Sequence, residues 1–398
     1  MEELNKIYND NGEEEVVFEK EDTSSGSEVI TKPFNPNDID IETPPFLIYS
    51  LIDKIKHGEI NMNTDFQRAG NLWSDEMQSR LIESVLLGLP LPAFFFDTSV
   101  KPWNIIDGLQ RCCAIYNFCI KKDLRLQGLE FLGEKDEKPY LNGLTFDELN
   151  DGLQRSINMR PITINLIKKA DRKVRFILFK RLNTGGLELT PQEIRNAVYQ
   201  GKAIDTVNLF AKFDEFLTAT EQKIPKNRMQ DRDFVSRFIA FYLNDYTQYL
   251  PGLDDFINSS MEILEKMEKS DIDIIATNFK KSLKLAFNIF GNDAFRKRRD
   301  INVGRSPINK AYFEVITTSF AKLNNTEIQL LFENKELLKD NLIEIMKTDR
   351  YFNVLSRGTG TTDSVKIRFS WFQKVLNKSI NGIKIKVTDD NKIEDKEL

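Results

Sequence analysis

A chain of 398 residues has room for two domains and a sizeable core. Its net charge of −5 is uneven: residues 1–28 carry −8, which leaves a mildly basic remainder of +3 and a separate acidic segment. One histidine, His57, excludes an HNH centre, a Cys/His zinc site, a Ser–His–Asp triad and an Arg–His ribonuclease pair, and three cysteines (Cys112, Cys113, Cys119) make no disulfide framework.

In chain order, residues 1–45 read as an acidic, disordered tail and lead-in. Residues 46–57 predict a short helix with Leu47, Leu51, Ile52 and Ile55 on one side and His57 at its surface end. Ser74 caps the next helix, with Asp75 and Glu76 in its first turn. Met77, Leu81, Val85 and Leu86 recur along it at helical spacing, and Gly88 stops it. Ala93–Asp97 and Trp103–Ile106 predict strands, Leu109–Ile120 a helix, Pro161–Ile167 a strand and Asp171–Leu182 a helix. Thr190-Pro191-Gln192-Glu193 is a capping box with proline at the first helical position.

From about residue 201 strand signals nearly vanish and helical periods continue through Phe234–Tyr242, Met261–Met267, Ile272–Phe290 and Ala311–Leu323. The expected class is α+β. A small α/β domain over 46–200 precedes a mainly helical domain over 201–385, and a charged tail follows over 386–398. No apolar run is long enough to span a bilayer and no signal peptide is read, so a cytoplasmic protein without a membrane partner is expected. The cysteines read as small buried hydrophobes in a reducing setting.

The most informative stretch is Trp103-Asn104-Ile105-Ile106-Asp107-Gly108-Leu109-Gln110-Arg111. An apolar strand ends in Asp-Gly, and Gln-Arg opens a helix. The turn brings an acid, a base and the free N–H groups of a helix start together, which suits a phosphate with its metal. Asp65-Phe66-Gln67-Arg68, Trp73 and Ser79–Phe96 stand upstream. Phe179–Gly186 and Leu189–Ala197 stand downstream.

In this order and spacing, over roughly residues 45 to 320, the blocks resemble the N-terminal domain of GmrSD-type modification-dependent restriction endonucleases. That is domain-of-unknown-function family 262, placed with ParB and sulfiredoxin. Its hallmark is D-G-Q-Q-R; here it is D-G-L-Q-R, with Leu109 departing. The resemblance implies a ParB/sulfiredoxin-like α/β fold that binds and hydrolyses a nucleotide, ATP or GTP, with Mg²⁺. Gly108 would let the backbone approach the phosphates. Gln110 would orient water or a γ-phosphate oxygen, and Arg111 would bond to phosphate. Asp107 would hold the metal or activate water. Gln67, Arg68, Arg181 and Asn183 are the further nucleotide-contact candidates, with Arg195 and Asn196 as scaffold.

The expected function is that of a nucleotide-dependent regulatory subunit of an antiphage or modification-dependent restriction system, acting on DNA or on a separately encoded effector nuclease. Homo-oligomers are compatible with this. Two alternatives stand beside it: a ParB-like DNA nuclease or nickase, and a non-enzymatic interaction or antitoxin-like subunit with a degenerate site. Two basic patches, Lys223/Lys226/Arg228/Arg232 and Arg296-Lys297-Arg298-Arg299, are candidates for a nucleic-acid backbone, with Phe295 as a stacking platform. Leu355–Asp363, glycine- and hydroxyl-rich around Arg357, reads as a flexible loop.

Overall fold

Ile162, Ile164 and Leu166 alternate inward along the nine-residue strand Pro161–Lys169, and a sheet assembles around this strand. The computed structural model describes residues 7–8, 14–15, 39–62, 73–135, 138–182, 189–300, 305–388, 390 and 392–396. The chain divides into two units, residues 32–189 and residues 190–398 together with 1–31.

The first unit runs β1 (Asp40–Glu42), β2 (Pro45–Leu47), α1 (Ile48–Lys56), β3 (Ile60–Asn61), α2 (Asp75–Leu87), β4 (Phe94–Asp97), β5 (Trp103–Asp107), α3 (Leu109–Ile115), α4 (Asp151–Asn158), β6 (Pro161–Lys169) and α5 (Arg172–Leu182). The sheet order is β1-β6-β4-β5-β3, with β2 also on β6. β6 pairs parallel with β4, β4 antiparallel with β5, and β5 parallel with β3. Ile52, Ile82, Phe94, Phe96, Ile115 and Phe118 pack with β6 into one core. Each such side chain contributes about 1.5–3 kcal/mol on burial.

Local signals explain the helix ends. The Ser74 hydroxyl accepts from the Met77 N–H, and Gly88 closes α2 at φ 81°. Leu81 and Val85 are buried, but Met77 is exposed, because the apolar face of α2 begins one turn later. The helix expected over 109–120 is α-helical only to Ile115. From Tyr116 to Lys121 it widens into a π-helix, and Lys122 leaves it in the left-handed region.

The N-terminal 1–45 was expected to be a disordered lead-in, yet β1 lies within it and residues 7–8 pair with 14–15. The rest of 1–38 lies outside the described residues.

The second unit runs α6 (Pro191–Val198), α7 (Lys202–Phe210), α8 (Asp214–Ala219), α9 (Gln230–Leu243), α10 (Leu253–Lys266), α11 (Lys269–Phe290), α12 (Lys310–Ala321), α13 (Asn325–Glu333), α14 (Lys335–Met346), α15 (Asp349–Val354), α16 (Thr362–Ile380), β7 (Ile385–Val387) and β8 (Ile393–Asp395). The α+β expectation holds: a mixed sheet unit precedes a mainly helical one. The divide falls before Thr190 rather than at 200, because α6 is tied to its own unit by Arg195–Asn258 and Glu193–Arg228. Phe238 stacks on Phe279 at 4.2 Å and Phe234 meets Phe313 edge-on at 5.0 Å, so the helices close over rings. The charged tail expected from 386 instead contributes the antiparallel β7–β8 pair, anchored by the Ile385 N–H donating to Asn341 Oδ1. No helix among the described residues is long and apolar enough to cross a membrane.

Candidate functional site

Strand β5 ends at Asp107, and Gly108 turns the chain at φ 98° into α3. The first helical bond is Cys112 N–H to Gly108 C=O. One turn on, Arg111 folds back along the helix, and its Nη2 donates to Asp107 Oδ2 at 2.8 Å and to the Ala93 carbonyl at 3.3 Å. Its guanidinium lies 4.9 Å from the centroid of Phe94. Arg111 is 8% exposed as a residue, whereas the Asp107 side chain is 30% exposed.

Gly108 has a packing role of its own. A Cβ there would stand 2.7 Å from Phe94 Cδ1 and 3.1 Å from Arg111 Nη2. Glycine is required for the left-handed turn and for seating Phe94 and Arg111 against it. Phe94 is the site residue that sequence reasoning missed. It stands in a run of three phenylalanines, and nothing local distinguishes the one beneath the guanidinium. Cys112, below this turn, is fully buried, and burial pushes its thiol well above the ordinary range.

Three groups at this turn remain available. Asp107 Oδ1 accepts nothing among the described residues, and Arg111 Nε and Nη1 donate to nothing among them. Gln110 Oε1 is buried without a hydrogen-bond partner among the described residues. Among the described residues no group of three or more His, Cys, Asp or Glu side chains is placed to hold a metal. A single carboxylate fits a Mg²⁺ ion carried by phosphates and not one caged by protein.

Of the other candidates, Arg181 sits exposed in the last turn of α5, while Gln67, Arg68 and Asn183 lie outside the described residues. Asp97, on β4, is buried against Arg175 at 2.8 Å and locks α5 to the sheet. Ser79 and Glu83, from the upstream block, clamp a loop. Glu83 accepts from the N–H groups of Glu130, Phe131 and Leu132, and Ser79 from that of Gln127.

The basic run 296–299 is only half at the surface, where Arg298 is half-buried and Arg299 exposed. Arg296 and Lys297 are buried. Arg296 pairs with Glu221 at 2.9 Å and donates to the Asn292 and Ser306 carbonyls. Lys297 bonds to Ser356 and lies over Phe352. Arg298 pairs with Asp293, and Arg299 pairs with Asp349 and stacks on Phe352 at 4.0 Å. Phe295 is fully buried against Phe313 and offers no platform to a base.

In the second patch Arg228 is bound to Glu193, Lys223 and Arg232 are half-buried, and Lys226 is exposed. The loop around Arg357 is tied down. Asn309, Arg368 and Tyr249 bind the carbonyls of Leu355, Thr359 and Gly360, because the buried polar groups beneath it need acceptors.

Residues 48–200 match the family model described as the GmrSD restriction endonuclease N-terminal domain. That segment is similar to the GmrSD-type N-terminal domain, and the Asp107–Arg111 turn lies within the matched region. No curated protein and no solved structure matches the chain.

Proposed function

We propose that this protein is a nucleotide-binding and nucleotide-hydrolysing regulatory subunit of a restriction system. It takes ATP or GTP with Mg²⁺ at Asp107–Arg111 and passes the nucleotide state to DNA recognition or to a separately encoded effector nuclease. The observation that carries the reading is the grouping at one turn of an open carboxylate oxygen, a guanidinium with two undirected nitrogens and an unpartnered buried amide oxygen. Arg111 holds phosphate by charge-assisted bonds, Gln110 orients a water, and Asp107 holds the metal or draws a proton from that water. Bound Mg²⁺ supplies charge neutralisation of the phosphates. The similarity of residues 48–200 to a restriction endonuclease domain supports DNA or a nuclease as the partner.

The test is release of inorganic phosphate at saturating NTP by the wild type and by Asp107→Ala. Turnover that requires Mg²⁺ and is lost in the variant is expected. Undiminished turnover in a folded variant overturns the assignment. A second reading, a non-enzymatic interaction subunit, draws on the same ion pair taken as a strut between β5 and α3. Failure of the wild type to bind any nucleotide favours it.

A further inference from the structure

Resting on the nucleotide reading above, we infer that the Asp107–Arg111 ion pair makes the site selective for a metal-chelated polyphosphate over the same polyphosphate without metal. The guanidinium is held at three points: Asp107 Oδ2 at 2.8 Å, the Ala93 carbonyl at 3.3 Å and the Phe94 ring at 4.9 Å. Its charge is therefore already matched, and the pair is neutral as a unit. A bare phosphate that takes Nε and Nη1 of Arg111 meets the Asp107 carboxylate on the same guanidinium. Two anions then share one largely buried cation, or the phosphate displaces Asp107 and leaves it with no cation of its own.

A divalent cation on the phosphates changes the exchange. Asp107 passes from guanidinium to metal, and a phosphate oxygen passes to Arg111, so both charges keep a partner throughout. Asp107 is placed for this, since Oδ1 accepts nothing among the described residues and the side chain is 30% exposed while Arg111 is nearly covered. The carboxylate is the mobile half of the pair, and the arginine is the fixed half. Metal and phosphate then bind with positive coupling, and the coupling is reciprocal between them.

The experiment is a calorimetric titration of the full chain with ATP in excess Mg²⁺ and with ATP in EDTA, for the wild type and for Asp107→Asn. The wild type is expected to bind the Mg²⁺ form at least about tenfold more tightly than the metal-free form, within the usual span of coupling between sites. In Asp107→Asn the competing anion is gone but the amide keeps the side chain's shape. Its two affinities should converge to within about threefold, with metal-free ATP bound more tightly than by the wild type. Equal wild-type affinities for the two forms overturn the inference and leave the nucleotide reading standing. That comparison needs no variant. A variant that keeps the wild-type ratio also overturns it. No binding of either form to either protein overturns the nucleotide reading and this inference with it.

Discussion

Glu314 and Arg368 form an ion pair in which neither side chain is exposed to solvent. Arg237 reaches the other oxygen of Glu314 at 3.3 Å, and Arg368 also donates to the Thr359 carbonyl, so one carboxylate joins α12 to α9 and α16. Removing one partner of such a group leaves the others buried without compensation. Glu314→Gln should destabilise the helical unit by about 3–5 kcal/mol. The check is the shift in urea midpoint at constant slope. Combining Glu314→Leu with Arg368→Met should cost less than the sum of the two single changes. Additive losses would show that the two side chains do not act as a pair.

Asp233 gives the same unit an acid-sensitive element. Burial alone pushes its carboxyl up, but Lys310 at 2.7 Å, Arg237 at 3.5 Å and Arg195 at 3.7 Å outweigh that and hold it well below the usual carboxylate range. A folded-state pKa below the unfolded one gives stability that is fully present above about pH 4 to 5 and lost as pH falls further. Glu193 has the opposite sign. Burial raises it despite Arg228 and Thr190, so its contribution favours folding at low pH and is lost as pH rises through its folded value. Asp233→Asn should lower stability at neutral pH and flatten its fall in acid. Urea midpoints between about pH 3 and 7 read both effects. An unchanged acid slope in the variant would show that Asp233 does not carry it.

Gly108→Ala should cost about 1–3 kcal/mol, because the residue sits at φ 98° and the added methyl stands 2.7 Å from Phe94 Cδ1. Gly58→Ala is the control: φ is also positive, at 68°, but a Cβ there meets nothing within 4 Å. Its cost should stay near about 1 kcal/mol. Thermal unfolding separates the two, and equal losses would leave strain alone as the cause, with no part for the Phe94–Arg111 seat.

How far the sequence reaches is plain at these positions. Ser74 and Thr190 were legible because a cap and the N–H it serves lie three residues apart. The turn at Asp107-Gly108 was legible because an apolar strand running into Asp-Gly is a local pattern. The partner of Arg111 was not read, although Asp107 is only four residues away. The choice between binding a carboxylate and facing a phosphate depends on Ala93 and Phe94, which the sheet register delivers. Arg296 and Lys297 were misread for a similar reason. Their partners, Glu221 and Ser356, lie 75 and 59 residues away in sequence. A basic run looks the same in sequence whether its charges face water or carboxylates. The β7–β8 pair was missed because three-residue strands carry too little alternation to be seen.

If the helical unit meets DNA, Arg296 and Lys297 do not supply the contacts, since Arg296 is spent on Glu221, Asn292 and Ser306 and Lys297 on Ser356 and Phe352. In the neighbouring patch Lys226 is exposed, and Lys223 and Arg232 are half-buried. Each lysine bound to a duplex phosphate adds about 0.9 to the slope of log affinity against log salt. Lys223→Ala with Lys226→Ala should therefore lower that slope by about 1 to 2 while leaving the unfolding midpoint within about 0.5 kcal/mol of wild type. Arg296→Ala should do the reverse: a clear loss of stability, and an unchanged slope in the fraction that remains folded. Fluorescence anisotropy with labelled duplex DNA between about 50 and 200 mM salt, run beside thermal unfolding, reads both quantities. A reduced slope in a stable Arg296→Ala protein would mean that this arginine leaves Glu221 for DNA, contrary to its buried position.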